Sequence, residues 1–219
     1  MPTVLFLGNH SSGKSSFINY LTESQLQKTG LAPTDDGFTI ITYGEKQEEA
    51  DGQTAVTHPD LAFEPLRELG PAFLSRLKLK TYPNELLKSV MLVDSPGMID
   101  AAAKENTRGY DFAASVRAFA ERADLILFFF DPDKPGTTGE TINIFTDTLS
   151  GLTHKLMILM HKVDQFQSMR DFARTYGTLC WNLAKIIKSK DIPHIFNTFL
   201  PTNKSKADPS LPLDDFDSS

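Results

Sequence analysis

Cysteine is nearly absent from this chain, and that lack sets a first boundary. Cys180 is the single one in 219 residues, so no intrachain disulfide can form and a reducing compartment is expected. Cys180 falls in an apolar helical pattern beside Trp181, where a buried structural thiol is expected rather than a nucleophile. Long apolar runs are missing too: the stretch from Leu125 to Phe130 has the length of a buried strand, well short of the roughly 20 residues of a membrane helix. No signal peptide precedes the first apolar run, which points to a cytosolic protein or a trimmed chain. Dense basic blocks are also lacking. Lys and Arg number 22 against 28 Asp and Glu, a formal net charge of −6, which argues against a nucleic-acid partner. Two loose basic clusters, Arg76 to Lys80 and Lys185 to Lys190, read as solvated faces.

What is present is an ordinary globular composition, long enough for one large α/β domain with a real core. β-leaning apolar runs at residues 3–7, 38–43, 77–82, 89–93, 124–130, 155–160 and 194–199 read as strands. Helical periodicity marks residues 16–21, 71–77, 110–122, 141–149 and 169–188, and residues 44–60 read as a solvated loop or short insertion. Strands alternating with helices predict an α/β fold, a mainly parallel sheet with helices on both faces. The predicted unit covers residues 1–200; residues 201–219, rich in Pro, Asp and Ser, read as a disordered or extended tail.

The strongest motif is Gly8-Asn9-His10-Ser11-Ser12-Gly13-Lys14-Ser15, which fits G-x-x-x-x-G-K-S/T between a strand and a helix. Glycines at both ends let backbone wrap an anion, and successive N–H groups from Asn9 to Ser16 plus the helix N-terminus present positive dipole to it. Lys14 would add a point charge on the β/γ-phosphates, and the Ser15 hydroxyl would ligate Mg2+.

Two later segments narrow the class. Asp94-Ser95-Pro96-Gly97 ends a buried strand, where Asp94 can hold Mg2+ and Gly97 can offer its N–H to a γ-phosphate. His161-Lys162-Val163-Asp164 occupies the place of an Asn-Lys-x-Asp base-reading element, with Asp164 accepting from guanine N1–H and the 2-amino group and Lys162 lying along the base. Thr34, in the polar loop after the first helix, is the candidate for closing on Mg2+ and the γ-phosphate. Met98 and Ile99 follow Gly97, so no glutamine is available there to orient water. That task falls to Thr34 and to the phosphate loop near His10 and Ser11, with Lys14 on the developing charge. Arg108 is the one arginine considered as a finger.

Gly8 to Asn19, Pro33-Thr34-Asp35 with Phe38, Val93 to Met98 and Arg108-Gly109-Tyr110-Asp111-Phe112 together resemble the nucleotide domain of dynamin-superfamily proteins. Arg108 to Phe112, Phe119 to Asp131, Arg174 to Gly177 and Trp181 to Leu183 are most similar to the EH-domain-containing, membrane-remodelling branch. The resemblance implies a Mg2+-dependent GTPase, or an ATP user of the same fold. It also implies a homodimer formed across the nucleotide faces, faster hydrolysis on assembly, and membrane association through parts outside this chain. His161 stands where that branch has Asn, and Asp35 where it has a second threonine. A nucleotide-sensing scaffold with negligible turnover is the other reading; a small-molecule kinase lacks any acceptor-site feature.

Overall fold

The computed structural model describes residues 1–27, 37–59, 61–98, 108–132, 139–187 and 194–201. Its frame is one eight-stranded sheet in the order β3-β4-β2-β5-β1-β6-β7-β8. The strands are β1 (Thr3–Gly8), β2 (Thr39–Tyr43), β3 (Glu48–Asp51), β4 (Lys78–Tyr82), β5 (Met91–Asp94), β6 (Leu125–Phe130), β7 (Leu156–His161) and β8 (Ile195–Thr198). Every neighbouring pair is parallel except β2 with β5 and β3 with β4. The helices are α1 (Lys14–Leu21), α2 (Gly52–Thr57), α3 (Pro71–Leu74), α4 (Phe112–Arg122), α5 (Gly139–Asn143) and α6 (Met169–Ile186).

Both sheet faces are covered, which explains why the central strands are apolar throughout rather than alternating. Alternate residues serve two cores. Leu5 and Leu7 of β1, Val93 of β5 and Phe128 and Phe130 of β6 face α4 and α6. Phe6, Leu92, Leu127 and Phe129 face α1, whose Ile18 is fully buried among them. On the larger side Phe119 of α4 stacks on Phe38 at 4.9 Å between centroids and meets Phe63 edge-on at 5.7 Å. Side-chain caps start α4 and α6, among others: Asp111 accepts from the Ala114 N–H at 2.9 Å, and Ser168 accepts from the Asp171 N–H at 3.2 Å.

Three local expectations are corrected. Residues 48–57 form β3 and α2 rather than a loop. β3 is an exposed edge strand of Glu48, Glu49, Ala50 and Asp51, with no apolar alternation to announce it; its order comes from pairing with β4. Asp51 then caps α2 through the Thr54 N–H at 2.9 Å. Lys80 is buried rather than solvated. Cys180 is only half-buried, at the edge of the core, and burial pushes its thiol above the usual range. Thr34 and Asp35, the polar stretch after Met98, Lys188 to Lys190 and the tail from Thr202 lie outside the described residues.

Phe119 is the hub of the aromatic packing under β2. Phe119→Ala is expected to cost about 3–5 kcal/mol, measured as a lowered urea midpoint with an unchanged m-value.

Candidate functional site

β1, β5 and β7 all end on the same side of the sheet, and the candidate site lies there. The turn from β1 into α1 is built by backbone in unusual conformations: Ser11 has φ 62° and Gly13 φ 98°. Gly13 is required twice over. Its φ disfavours a side chain, and a Cβ would stand 2.4 Å from His161 Cδ2. The result is a cup of backbone amides at the N-terminus of α1, with Ser12 Oγ fully buried beside it and without a hydrogen-bond partner. An orphaned buried hydroxyl in a concavity of N–H groups suits an anionic ligand.

The loop after β5 is zipped to that cup. His10 N–H donates to Met98 O at 3.1 Å, and Met98 N–H donates to Gly8 O at 3.1 Å. Gly97 lies so close that a Cβ would sit 2.6 Å from His10 Cα. Asp94 therefore reaches the first turn of α1, where Ser15 Oγ donates to Asp94 Oδ2 at 2.9 Å. A hydroxyl and a buried carboxylate meeting beside an anion cup are the oxygen donors a Mg2+–phosphate group needs, so the residues present fit one. Lys14 turns its Nζ back to Gly8 O at 2.9 Å and Asn9 O at 3.1 Å. Burial lowers its pKa to about 8, with the Asp94 charge opposing and Arg108 reinforcing the shift. Asn9 is buried and its Oδ1 accepts from Thr141 Oγ1 at 3.1 Å.

The third loop is tied in by a lysine. Lys162, at φ 64°, donates to Ser11 O at 2.5 Å and to Asp131 Oδ2 at 2.8 Å. Asp164 follows in a short 3-10 turn, and burial raises its carboxyl pKa above the ordinary value. His161 sits under the phosphate loop. Strand alternation sends it toward α1, where it meets Phe17 and Phe129 edge-on at 5.9 and 5.6 Å and pairs through Nδ1 with Thr198 Oγ1 at 2.9 Å. It is 2% exposed. Burial first, then the Lys162 charge, pull its pKa down to about 4, against a smaller opposing effect of Asp131.

The structure thus brings together Asn9 to Ser16, Asp94, Gly97, His161 and Lys162, with Asp164 two residues further along the loop that Lys162 ties to Ser11. Thr34 lies outside the described residues. Arg108 is committed elsewhere: it bridges Glu140 at 2.5 Å, donates to Gly97 O at 2.8 Å and lies over the Phe112 ring at 4.0 Å. Its role here is to brace the loop after β5. Sequence reading missed Asp131, Glu140 and Thr141, as well as Gln27, whose Nε2 donates to Asp94 Oδ2 at 2.7 Å. Only Asp131 had a signal, as a carboxylate closing a buried strand.

Sheet order and loop constellation together define a P-loop NTPase fold, a G domain. The chain belongs to the dynamin family: the Dynamin family profile matches residues 4–162. Human EH domain-containing protein 2 is 34% identical over 197 residues, covering 89% of this chain and 36% of its own length. Human EH domain-containing protein 3 is 33% identical over 200 residues, with the same coverage. The chain therefore spans about a third of the length of these relatives. Among solved structures, an oligomerised bacterial dynamin pair, described as a mechanism for long-range sensing and tethering of membranes, is similar in fold. It aligns with a TM-score of 0.60 at 15% identity, over 90% of this chain and 33% of that one. An Aquifex aeolicus Era variant bound to GDP and AlF4- aligns at 0.51 and 12% identity, over 90% of this chain and 50% of that one.

His161 titrates at its ordinary 6.5 when unfolded and at about 4 when folded. The unfolded chain therefore holds more protons between those values, and stability falls as pH drops through 6.5, levelling off below the folded value. From about pH 7 to about pH 5 the loss is about 2 kcal/mol, read as a lower urea midpoint. His161→Asn is expected to remove that part of the pH dependence; an unchanged slope would mean another group carries it.

Proposed function

We propose that residues 1–200 form a dynamin-type nucleotide domain that binds Mg2+ with a nucleoside triphosphate, GTP preferred, and hydrolyses it slowly in isolation. The observation that carries this reading is the convergence of Lys14, Ser15 and Asp94 on the amide cup, with Ser15 Oγ 2.9 Å from Asp94 Oδ2. Bound Mg2+ supplies charge neutralisation on the β- and γ-phosphates. Ser15 Oγ and Asp94 would hold it, Thr34 joining them from its loop. Lys14 leaves the Gly8 and Asn9 carbonyls for the phosphates, whose charge restores a pKa that burial has lowered to about 8. Amides between Asn9 and Ser16, those of His10 and Ser12 aside because they bond Met98 O and Asn9 O, and the Gly97 N–H then stabilise charge developing in transfer, and Thr34 with the loop at His10 and Ser11 places the attacking water.

Asp164 selects guanine through N1–H and the 2-amino group, and Lys162 walls the base while tied to Ser11. His161 braces that loop from below through Thr198 rather than reaching the base, so an ATP preference is the alternative that a direct comparison decides. Dimerisation across the nucleotide face raises turnover. In the longer protein of which this would be the nucleotide domain, the cycle drives membrane remodelling from a cytoplasmic, peripheral position. This rests on the family resemblance; no helix among the described residues is long and apolar enough to cross a membrane.

A second reading, a nucleotide-sensing scaffold with negligible turnover, is favoured by Arg108. That arginine is locked to Glu140 and Gly97, and no glutamine follows Gly97.

Lys14→Ala is expected to abolish nucleotide binding with the fold intact by circular dichroism; retained micromolar affinity would refute the assignment. Calorimetric titration with non-hydrolysable GTP and ATP analogues, side by side, is expected to favour GTP. Single-turnover hydrolysis that rises steeply with protein concentration supports the enzyme, and flat near-zero turnover supports the scaffold.

A further inference from the structure

Lys80 occupies a position that an alternating Leu-Lys-Leu-Lys strand would place in water, yet it is 8% exposed. The residues after α1 cover it. Lys80 Nζ donates to Leu26 O at 2.6 Å and to Gln27 Oε1 at 2.7 Å. Gln27 is in turn held at both its backbone and its side chain. Its N–H donates to Asn19 Oδ1 at 2.8 Å, its carbonyl accepts from Asn19 Nδ2 at 2.8 Å, and its Nε2 donates to Asp94 Oδ2 at 2.7 Å. Ser15 Oγ donates to that same Asp94 oxygen at 2.9 Å. A single line of hydrogen bonds thus runs from β4 through Gln27 to the end of β5 and into the phosphate loop.

The direction of this line is dictated by chemistry. An ammonium only donates, so the carboxamide oxygen of Gln27 must face Lys80. The amide NH2 is then turned to Asp94, which as a carboxylate only accepts. Lys80 therefore selects the one orientation of Gln27 that can hold Asp94 toward Ser15. The surroundings make this a costly choice for packing alone, because Leu26, Ile41 and Leu92 of the α1-side core lie nearby in sequence or on neighbouring strands. An apolar side chain on β4 would avoid burying a charge there.

We propose that Gln27 and Lys80 are positioning residues that hold the Asp94 carboxylate toward Ser15 and thereby set the affinity of the site for Mg2+ in the presence of nucleotide. This inference rests on the Mg2+–nucleotide reading above. Residues that orient a metal-holding side chain typically change metal affinity about 10–100-fold when removed.

The test titrates the whole chain with a fluorescent non-hydrolysable GTP analogue, or its ATP counterpart if wild type prefers that, in EDTA and at stepped Mg2+ concentrations. Gln27→Met is expected to raise the Mg2+ concentration that gives half of the Mg2+-dependent gain in affinity by about 10-fold or more. Its affinity in EDTA should stay within about two-fold of wild type, since the amide cup is untouched. Lys80→Met should move the same quantity in the same direction, and the double variant no further than Gln27→Met alone, because both act through one bond to Asp94. Thermal unfolding without ligand is measured in parallel. Where a single variant fails to fold, Gln27→Leu combined with Lys80→Leu removes both polar partners together and carries the same test. An unchanged Mg2+ dependence, or equal losses in EDTA and Mg2+, overturns the proposal, since a packing role would lower stability without separating the two affinities. Wild-type protein that binds neither nucleotide overturns the proposed function and this inference with it. Wild-type binding that depends on Mg2+, with variants unaffected, overturns this inference alone.

Discussion

A loop whose amides point inward leaves carbonyls pointing outward, and those carbonyls need donors. In this protein the need organises the whole end of the sheet. Gly8 O takes the Met98 N–H and Lys14 Nζ; Asn9 O takes the Ser12 N–H and Lys14 Nζ; Ser11 O takes Lys162 Nζ. Those donors come from the loop after β5, from α1 and from the loop after β7. Among the described residues, the segments that carry candidate ligand groups are therefore fastened to the cup by the bonds that keep the cup in shape. Positive φ at Ser11 and Gly13 is the conformational cost, and the surrounding bonds over-determine it.

Charge is concentrated where apolar packing is densest. Lys14, Lys80, Asp94, Arg108, Asp131 and Asp164 are all buried, and Asp94, Asp131 and Asp164 lie at or just past the ends of apolar strands. Buried ions are poor stabilisers unless fully bonded, so the gathering of Lys14, Asp94, Asp131 and Asp164 near the phosphate loop fits a candidate polar site better than a stability device. The pKa directions agree. Burial is the largest cause driving Lys14 down, with Arg108 adding to it, and it drives Asp164 up, each toward its neutral form. His161 packs beneath the phosphate loop, against Gly13 and Phe17. A neutral ring between Phe17 and Phe129 packs where a charged one could not.

Much of this was readable in the chain. Val4 to Leu7 is an apolar run, the glycine motif follows it, and the periodicity changes from strand to helix where the motif sits. Leu125–Phe130 is apolar at every position because both its faces are covered, a pattern few other elements share. β3 was not readable, since Glu48 and Glu49 carry no apolar alternation and only backbone pairing with β4 orders them. Lys80 was misread for a related reason. Its strand alternates as a half-solvated one should, and no local pattern tells that residues Leu26 and Gln27 fold over it. Arg108 lies in a stretch that resembles the family, yet the Glu140 that holds it is far along the chain.

Sequence by itself determined the elements whose cause is local. Period, capping residue, glycine spacing and the order of strands and helices specify a phosphate loop between β1 and α1 and a mainly parallel, helix-covered sheet. Tertiary structure alone decided which polar groups share a bond: Gln27 with Asp94, Lys162 with Ser11 and Asp131, His161 with Thr198. Such pairings depend on which strand ends lie side by side. That adjacency is set by sheet order and strand register, which non-local packing selects and no short window of residues encodes.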